Sequence, residues 1–169
     1  MDLKAFRTTQ QEWKIGLING ANMPNLVNRS PDVYGPPKEM AHIEQQITLL
    51  GEAMGVRIST VCSNYDGVIL EWLHEHAFNG ALDAIVINPG STLTYGEHIR
   101  HCLEDSGLPY VESHFSNLAA RYDVTCAYTP TSVGVCQGMR KHSYAAALIA
   151  TVGMLDDGDF HRPVNYRGS

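Results

Sequence analysis

Five short apolar runs, each rich in valine or isoleucine, recur along the chain: KIGLIN (14–19), VRISTVC (56–62), LDAIVIN (82–88), LPYVES (108–113) and TSVGVC (131–136). Near-continuous apolarity over five to seven residues is the pattern of strands buried on both faces, which a solvent-facing sheet with alternating side chains does not show. Helical periodicity fills the intervals. Ile43, Ile47 and Leu50 fall at helical spacing within 40–55, and Ile69, Leu70 and Leu73 within 67–80; 95–107 and 139–155 complete the set. Gly55, Gly80 and Gly107 stand where C-caps are expected. Strands alternating with helices imply right-handed crossovers and a parallel sheet covered on both sides. The expected fold is therefore α/β, a three-layer flavodoxin-like domain with a five-stranded parallel sheet.

With 169 residues, 44% of them hydrophobic, the chain suffices for one well-buried core. A single domain is expected over 14–155, with an N-terminal extension (1–13) and a polar C-terminal tail (156–169). The net charge of −6 and the lack of any Lys/Arg run argue against nucleic acid as a partner. No apolar run approaches the roughly 20 residues that span a bilayer. The four cysteines lack CxxC spacing and the first 14 residues lack a signal-peptide core, so a reducing, cytoplasmic setting is expected. The eight histidines are scattered and His74 with His76 lacks the spacing that puts two ligands on one helix face, so zinc is not expected.

In open parallel sheets ligands bind beyond the carboxyl ends of the strands. There this chain carries NGANMPNLVNRSPDVYG after the first run, SNYDG after the second, NPGSTLTYGEH after the third and HFSNLAAR after the fourth. The first loop matches neither GxGxxG nor GxxxxGK[ST], and its asparagines are a poor match for a flavin phosphate loop, so neither a nucleotide nor a flavin is expected. In NRSPDVYG, Pro31 and Gly35 are expected to keep the segment irregular, and Arg29 stands five residues before Tyr34. Glu112 and His114 point to one side of an extended segment, where the carboxylate can orient and charge the imidazole. The same spacing also fits a core histidine satisfied by a local acid. Asn88 before Pro89 and Gly90 either bonds its own turn or holds a ligand hydroxyl. Arg121 either pairs with Asp123 or adds a second cation to the site.

Taken together, "NGANMPNLVNRSPDVYG", "SNYDGVILEWLHE", "INPGSTLTYG", "VESHFSNLAAR" and the "GVCQGM" that leads into Tyr144 resemble the type II dehydroquinases (3-dehydroquinate dehydratases) over residues 14 to 154. The resemblance implies a hydro-lyase without cofactor or metal, assembled as a dodecamer built from four trimers, acting in shikimate synthesis or quinate catabolism. It further implies anti elimination of water from a small molecule, 3-dehydroquinate, through an enolate. Tyr34 would be the base, Arg29 its essential neighbour and Arg121 a second cation favouring the phenolate. His114, oriented by Glu112, would be the acid, and Asn22 would help stabilise the enolate. Asn88 and the backbone near Phe115 and Ser116 would hold substrate oxygens. The chemistry is coherent, because a phenol with its ordinary pKa of about 10 is a poor base near neutrality unless cations favour its anion.

Several positions depart from the family pattern. Thr94 stands where a substrate-binding histidine is expected, and YDVTCAYTP offers Thr125 and Cys126 in place of a second arginine and is about two residues shorter. Asp66 replaces a glutamate, and Ala21 and Pro24 alter the first loop. An alternative reading is therefore a divergent relative that uses the same tyrosine and histidine for elimination or hydrolysis of another small oxygenated substrate. A third is a non-catalytic flavodoxin-like binding protein or scaffold.

Overall fold

The computed structural model describes residues 3–121 and 125–159. Its five strands, β1 (Lys14–Asn19), β2 (Arg57–Cys62), β3 (Ala84–Asn88), β4 (Tyr110–His114) and β5 (Gly134–Gln137), pair in parallel in the order β2-β1-β3-β4-β5. Each lies within three residues of an apolar run. β3 and β4 are buried at every position and β1 at all but Lys14, whereas the edge strands β2 and β5 expose Arg57, Thr60 and Val135. The period of two along each central strand sorts side chains to opposite faces. Ile15, Leu17, Val86 and Val111 join one core cluster, and Ile18, Ile85, Ile87 and Tyr110 the other.

Helices α2 (Met40–Met54) and α5 (His142–Asp157) cover the first face; α3 (Asp66–His76) and α4 (Glu97–Ser106) cover the second. Met40, Ile43 and Ile47 of α2, and Ala147, Leu148 and Val152 of α5, present the apolar stripes that a helix must bury. The result is the expected three-layer α/β fold. Among the described residues no helix is long and apolar enough to cross a membrane.

Three details differ from expectation. The segment after Arg29 does contain a helix, the single turn α1 (Pro31–Tyr34), because Pro31 at N1 has the required φ and its missing N–H bonds nothing there anyway. Gly35 ends it at φ 84°. Helix α3 ends at His76 with Ala77 as its C-cap, so Gly80, in the left-handed region at φ 76°, serves the following turn instead. Strand–helix alternation also lapses after β4. There, two one-turn 3-10 helices, Leu118–Ala120 and Thr129–Thr131, are all the helix among the described residues, since the stretch has Pro130 and no apolar period.

Residues 3–13 fold back on the domain. Arg7 donates through Nε to Asp156 Oδ2 at 2.6 Å and through Nη2 to Oδ1 at 2.7 Å, and both side chains are almost wholly buried. Thr9 and Trp13 donate to Asp156 Oδ1 at 2.7 Å, and Arg7 Nη1 reaches the Met54 carbonyl at 2.9 Å. These bonds, the Arg7 bond first, hold the Asp156 carboxyl well below its ordinary range. Asp156 lies in the last turn of α5, which continues two residues past the boundary expected at 155. Residues 160–169 of the expected tail fall outside the described residues.

Candidate active site

The carboxyl ends of β1 and β3 are tied together by backbone contacts that admit little but glycine. Gly20 N–H donates to the Asn88 carbonyl at 2.8 Å, and Ser91 N–H to the Ala21 carbonyl at 2.7 Å. A Cβ on Gly20 would meet the Pro89 oxygen at 2.2 Å, and one on Gly90 the Ala21 oxygen at 2.2 Å. This stitch fixes where Asn22 sits. Asn22 is in the left-handed region at φ 67°, which asparagine tolerates. Its N–H donates to Asn64 Oδ1 at 2.8 Å, and its own Oδ1 accepts from Asn25 at 3.2 Å. Asn88 is buried, and its Oδ1 accepts the Gly90 N–H at 3.0 Å, the turn bond of the first alternative above.

Beyond this stitch, the 3-10 turn Leu26–Asn28 is followed by Arg29, and α1 brings Tyr34 back to it. Arg29 Nη2 donates to the Tyr34 hydroxyl, and the guanidinium carbon lies 3.7 Å from the centroid of the Tyr34 ring. Burial lowers the Arg29 pKa below its ordinary value; Tyr34 opposes that shift, and the neighbouring charge of Arg121 adds to it. Arg121 is thus close enough for its charge to be felt at the guanidinium that covers Tyr34. Tyr34 packs on Phe115 at a centroid distance of 6.1 Å, and Phe115 in turn meets Tyr144 edge-on at 5.5 Å.

A cavity of about 520 Å³ opens at this place, lined by Tyr34, Phe115, Ser116, Asn117, Arg121 and Arg140 among others. Arg121 Nη1 donates to Ser116 Oγ at 3.4 Å, and its proposed alternative partner Asp123 lies outside the described residues. A smaller cavity of about 130 Å³ shares Tyr34, Phe115 and Arg140.

Deeper, at the end of β4, His114 Nε2 lies 2.8 Å from Glu112 Oε2, which leaves Nδ1 as the second ring nitrogen. Glu112 is fully buried. Burial alone would raise its pKa, but the bonds from His114 and from Cys126, whose Sγ donates to Oε2 at 2.8 Å, outweigh it and leave the carboxyl below its ordinary value. The carboxylate charge and burial push the Cys126 thiol up to about 12, burial being the larger cause, so Cys126 is a donor here and not a nucleophile. Glu112, His114 and Cys126 form the one group of donor atoms among the described residues compact enough for a cation, within 4.8 Å of one another.

Tyr34, Phe115, Ser116 and Arg121 therefore line one cavity, Arg29 reaches it only through its contact with Tyr34, and Glu112 with His114 form a buried pair at the end of β4, the strand that leads into Phe115. Asn22, Asn88 and Thr94 do not line that cavity. Thr94 ends the 3-10 turn Gly90–Thr94 and is exposed. Asp66 accepts from His98 Nε2 at 3.0 Å. Sequence reasoning passed over Arg140, Asn64 and the contact of Cys126 with Glu112. Cys126 drew notice only as a departure from the family, and Asn64 only as part of SNYDG. Nothing periodic marks Arg140.

The class II dehydroquinase family model matches residues 13–152. A catabolic 3-dehydroquinase of Verticillium alfalfae is 35% identical over 137 residues, 80% of this chain and 89% of its own. A 3-dehydroquinate dehydratase of Halothermothrix orenii is 32% identical, covering 87% of this chain and 99% of its own. Among solved structures, the type II dehydroquinase of Butyrivibrio crossotus superposes with a TM-score of 0.76 at 26% identity, over 83% of this chain and 97% of that one. The chain belongs to the class II dehydroquinases, a family of hydro-lyases.

Proposed function

We propose that the protein removes water from 3-dehydroquinate to give 3-dehydroshikimate. The observation that carries this reading is the Arg29–Tyr34 contact, a guanidinium that both donates to the phenol oxygen and covers its ring at the edge of a cavity holding a further arginine. A phenol is a base only as its anion, and a donating guanidinium favours the anion. The Tyr34 phenolate takes the proton beside the substrate ketone, and the C–H bonding pair becomes the enolate. Collapse of the enolate breaks the bond to the hydroxyl one carbon further on, which leaves as water with a proton from His114. Glu112 holds the imidazole in one orientation and favours its cation before transfer. Return of the proton from Tyr34 to His114 resets the site.

In this reading Asn22 steadies the enolate, Asn88 and the backbone at Phe115 and Ser116 hold substrate oxygens, and Arg121 supplies the second cation. The protein acts in the cytoplasm as a homo-oligomer, a dodecamer built as a tetramer of trimers by family resemblance. Light scattering that gave a monomer would count against the assembly.

A second substrate has its own support. Thr94 is exposed and outside the cavity, Thr125 is exposed, and Cys126 is turned inward to Glu112, so no imidazole or guanidinium extends from these positions. The alternative is the same tyrosine and histidine acting on a different small oxygenated keto acid or lactone. Formation of the conjugated enone from 3-dehydroquinate, followed by ultraviolet absorbance with purified protein, separates the two. Turnover supports the first reading, and none at high enzyme concentration discards it. A panel of related keto acids and lactones then decides between the alternative and a non-catalytic binding protein.

A further inference from the structure

Arg140 carries an unusual set of constraints for a residue that no motif marks. It is one of two non-glycine residues at positive φ among those described, at 54°, a conformation any residue with a Cβ adopts at a cost. Its position is fixed on three sides. The Arg140 N–H donates to the Phe115 carbonyl at 3.0 Å, its Nη2 donates to the Asp32 carbonyl at 3.2 Å, and its Cδ packs where a Cβ on Gly35 would come within 3.1 Å. The strained residue thus bridges the end of β4 to the turn that bears Tyr34. It is exposed, and it lines both cavities that Tyr34 and Phe115 share.

Charge is the second observation. Arg7, Arg57 and Arg100 each pair with a carboxylate, whereas Arg29, Arg121 and Arg140 do not among the described residues. Among the described arginines, the three without an acid are the three near Tyr34. Guanidinium groups left unneutralised along a cavity wall are complementary to an anion, and a planar fork suits a carboxylate best.

We propose that Arg140 is a recognition residue for the carboxylate of the substrate, acting with Arg121 and the Ser116 hydroxyl in the cavity of about 520 Å³. It supplies part of the grip that Thr94 and Thr125 do not provide. This inference rests on reading that cavity as the active site.

The test is Arg140→Gly, chosen because glycine adopts φ 54° freely, so the variant keeps the backbone and its melting temperature is expected to match or exceed the parent's. Steady-state kinetics with 3-dehydroquinate are expected to show KM raised about tenfold to a hundredfold, the worth of one charge-assisted hydrogen bond, with the effect concentrated in KM. Arg140→Lys is expected to recover part of the loss. Calorimetric binding of quinate, which carries the carboxylate and hydroxyls but no ketone, is expected to weaken in Arg140→Gly by a similar factor. An unchanged KM, or a fall in kcat at constant KM, overturns the proposal, the latter pointing to a residue that merely positions Tyr34. Parental turnover with an unchanged KM in the variant refutes the carboxylate contact and leaves the lyase reading intact. Absent turnover with quinate binding that depends on Arg140 does the reverse. A parent protein that binds neither compound overturns both.

Discussion

Replacing Arg29 by alanine removes two contacts at once, the bond to the Tyr34 hydroxyl and the guanidinium over the Tyr34 ring at 3.7 Å. A hydrogen bond involving a charged partner is worth about 1.5–3 kcal/mol and a cation over an aromatic face about 0.5–2 kcal/mol, together about 2–5 kcal/mol. Arg29 is only half-buried, so solvent screening places the effect in the lower part of that range, about 2–3.5 kcal/mol. At about 1.4 kcal/mol per decade, kcat for enone formation falls about 30- to 300-fold if the contacts serve the transition state. Stability is expected to change little, because Arg29 belongs to neither core cluster and follows a one-turn helix. Arg29→Lys is expected to fall between parent and alanine variant, since an ammonium keeps charge but cannot donate in plane while stacking. A kcat for Arg29→Ala within threefold of the parent, at unchanged melting temperature, would refute the assignment of Arg29 to the base.

Other outcomes follow from the same geometry. His114→Ala is expected to lower kcat about 100-fold or more, the usual contribution of a positioned general acid, with Glu112→Gln intermediate; equal activity of either variant and the parent would remove the pair from the mechanism. Asp156→Asn is expected to cost about 3 kcal/mol by leaving Arg7 buried without its carboxylate, read as a drop of about 10 °C in melting temperature. Because folding depresses the Asp156 pKa, its contribution is present above the unfolded value of about 4 and lost as pH falls below it. The stability gap between parent and Asp156→Asn is therefore expected to narrow from pH 7 to pH 3, and a constant gap would contradict the linkage. Thr94→His combined with Thr125→Arg is expected to lower KM for 3-dehydroquinate about tenfold or more; poorer kinetics would favour the other substrate.

The strands were legible because burial on both faces demands near-continuous apolar sequence, and β1, β3 and β4 are buried almost throughout. The one-turn helix α1 was not, since four residues carry no period and Pro31 reads as a breaker until its place at N1 is known. Glu112 and His114 lie two apart on a strand, so their contact follows from local geometry alone. The contact between Arg7 and Asp156 spans 149 residues and leaves no local trace. Arg140 was hidden for a related reason: its backbone φ and its reach to Asp32, 108 residues away, are properties of the folded loop alone. The cysteine that bonds Glu112 stood out only as a departure from the family pattern, because its donor role depends on a tertiary contact with the end of β4.

The most direct test of the central claim is single-wavelength absorbance of enone formation from 3-dehydroquinate by the parent protein and by Tyr34→Phe. The phenylalanine variant keeps the ring against Phe115 and loses only the oxygen, so the fold is expected to hold and turnover to vanish. Parental turnover matched by a Tyr34→Phe variant of near-full activity would show that the base lies elsewhere.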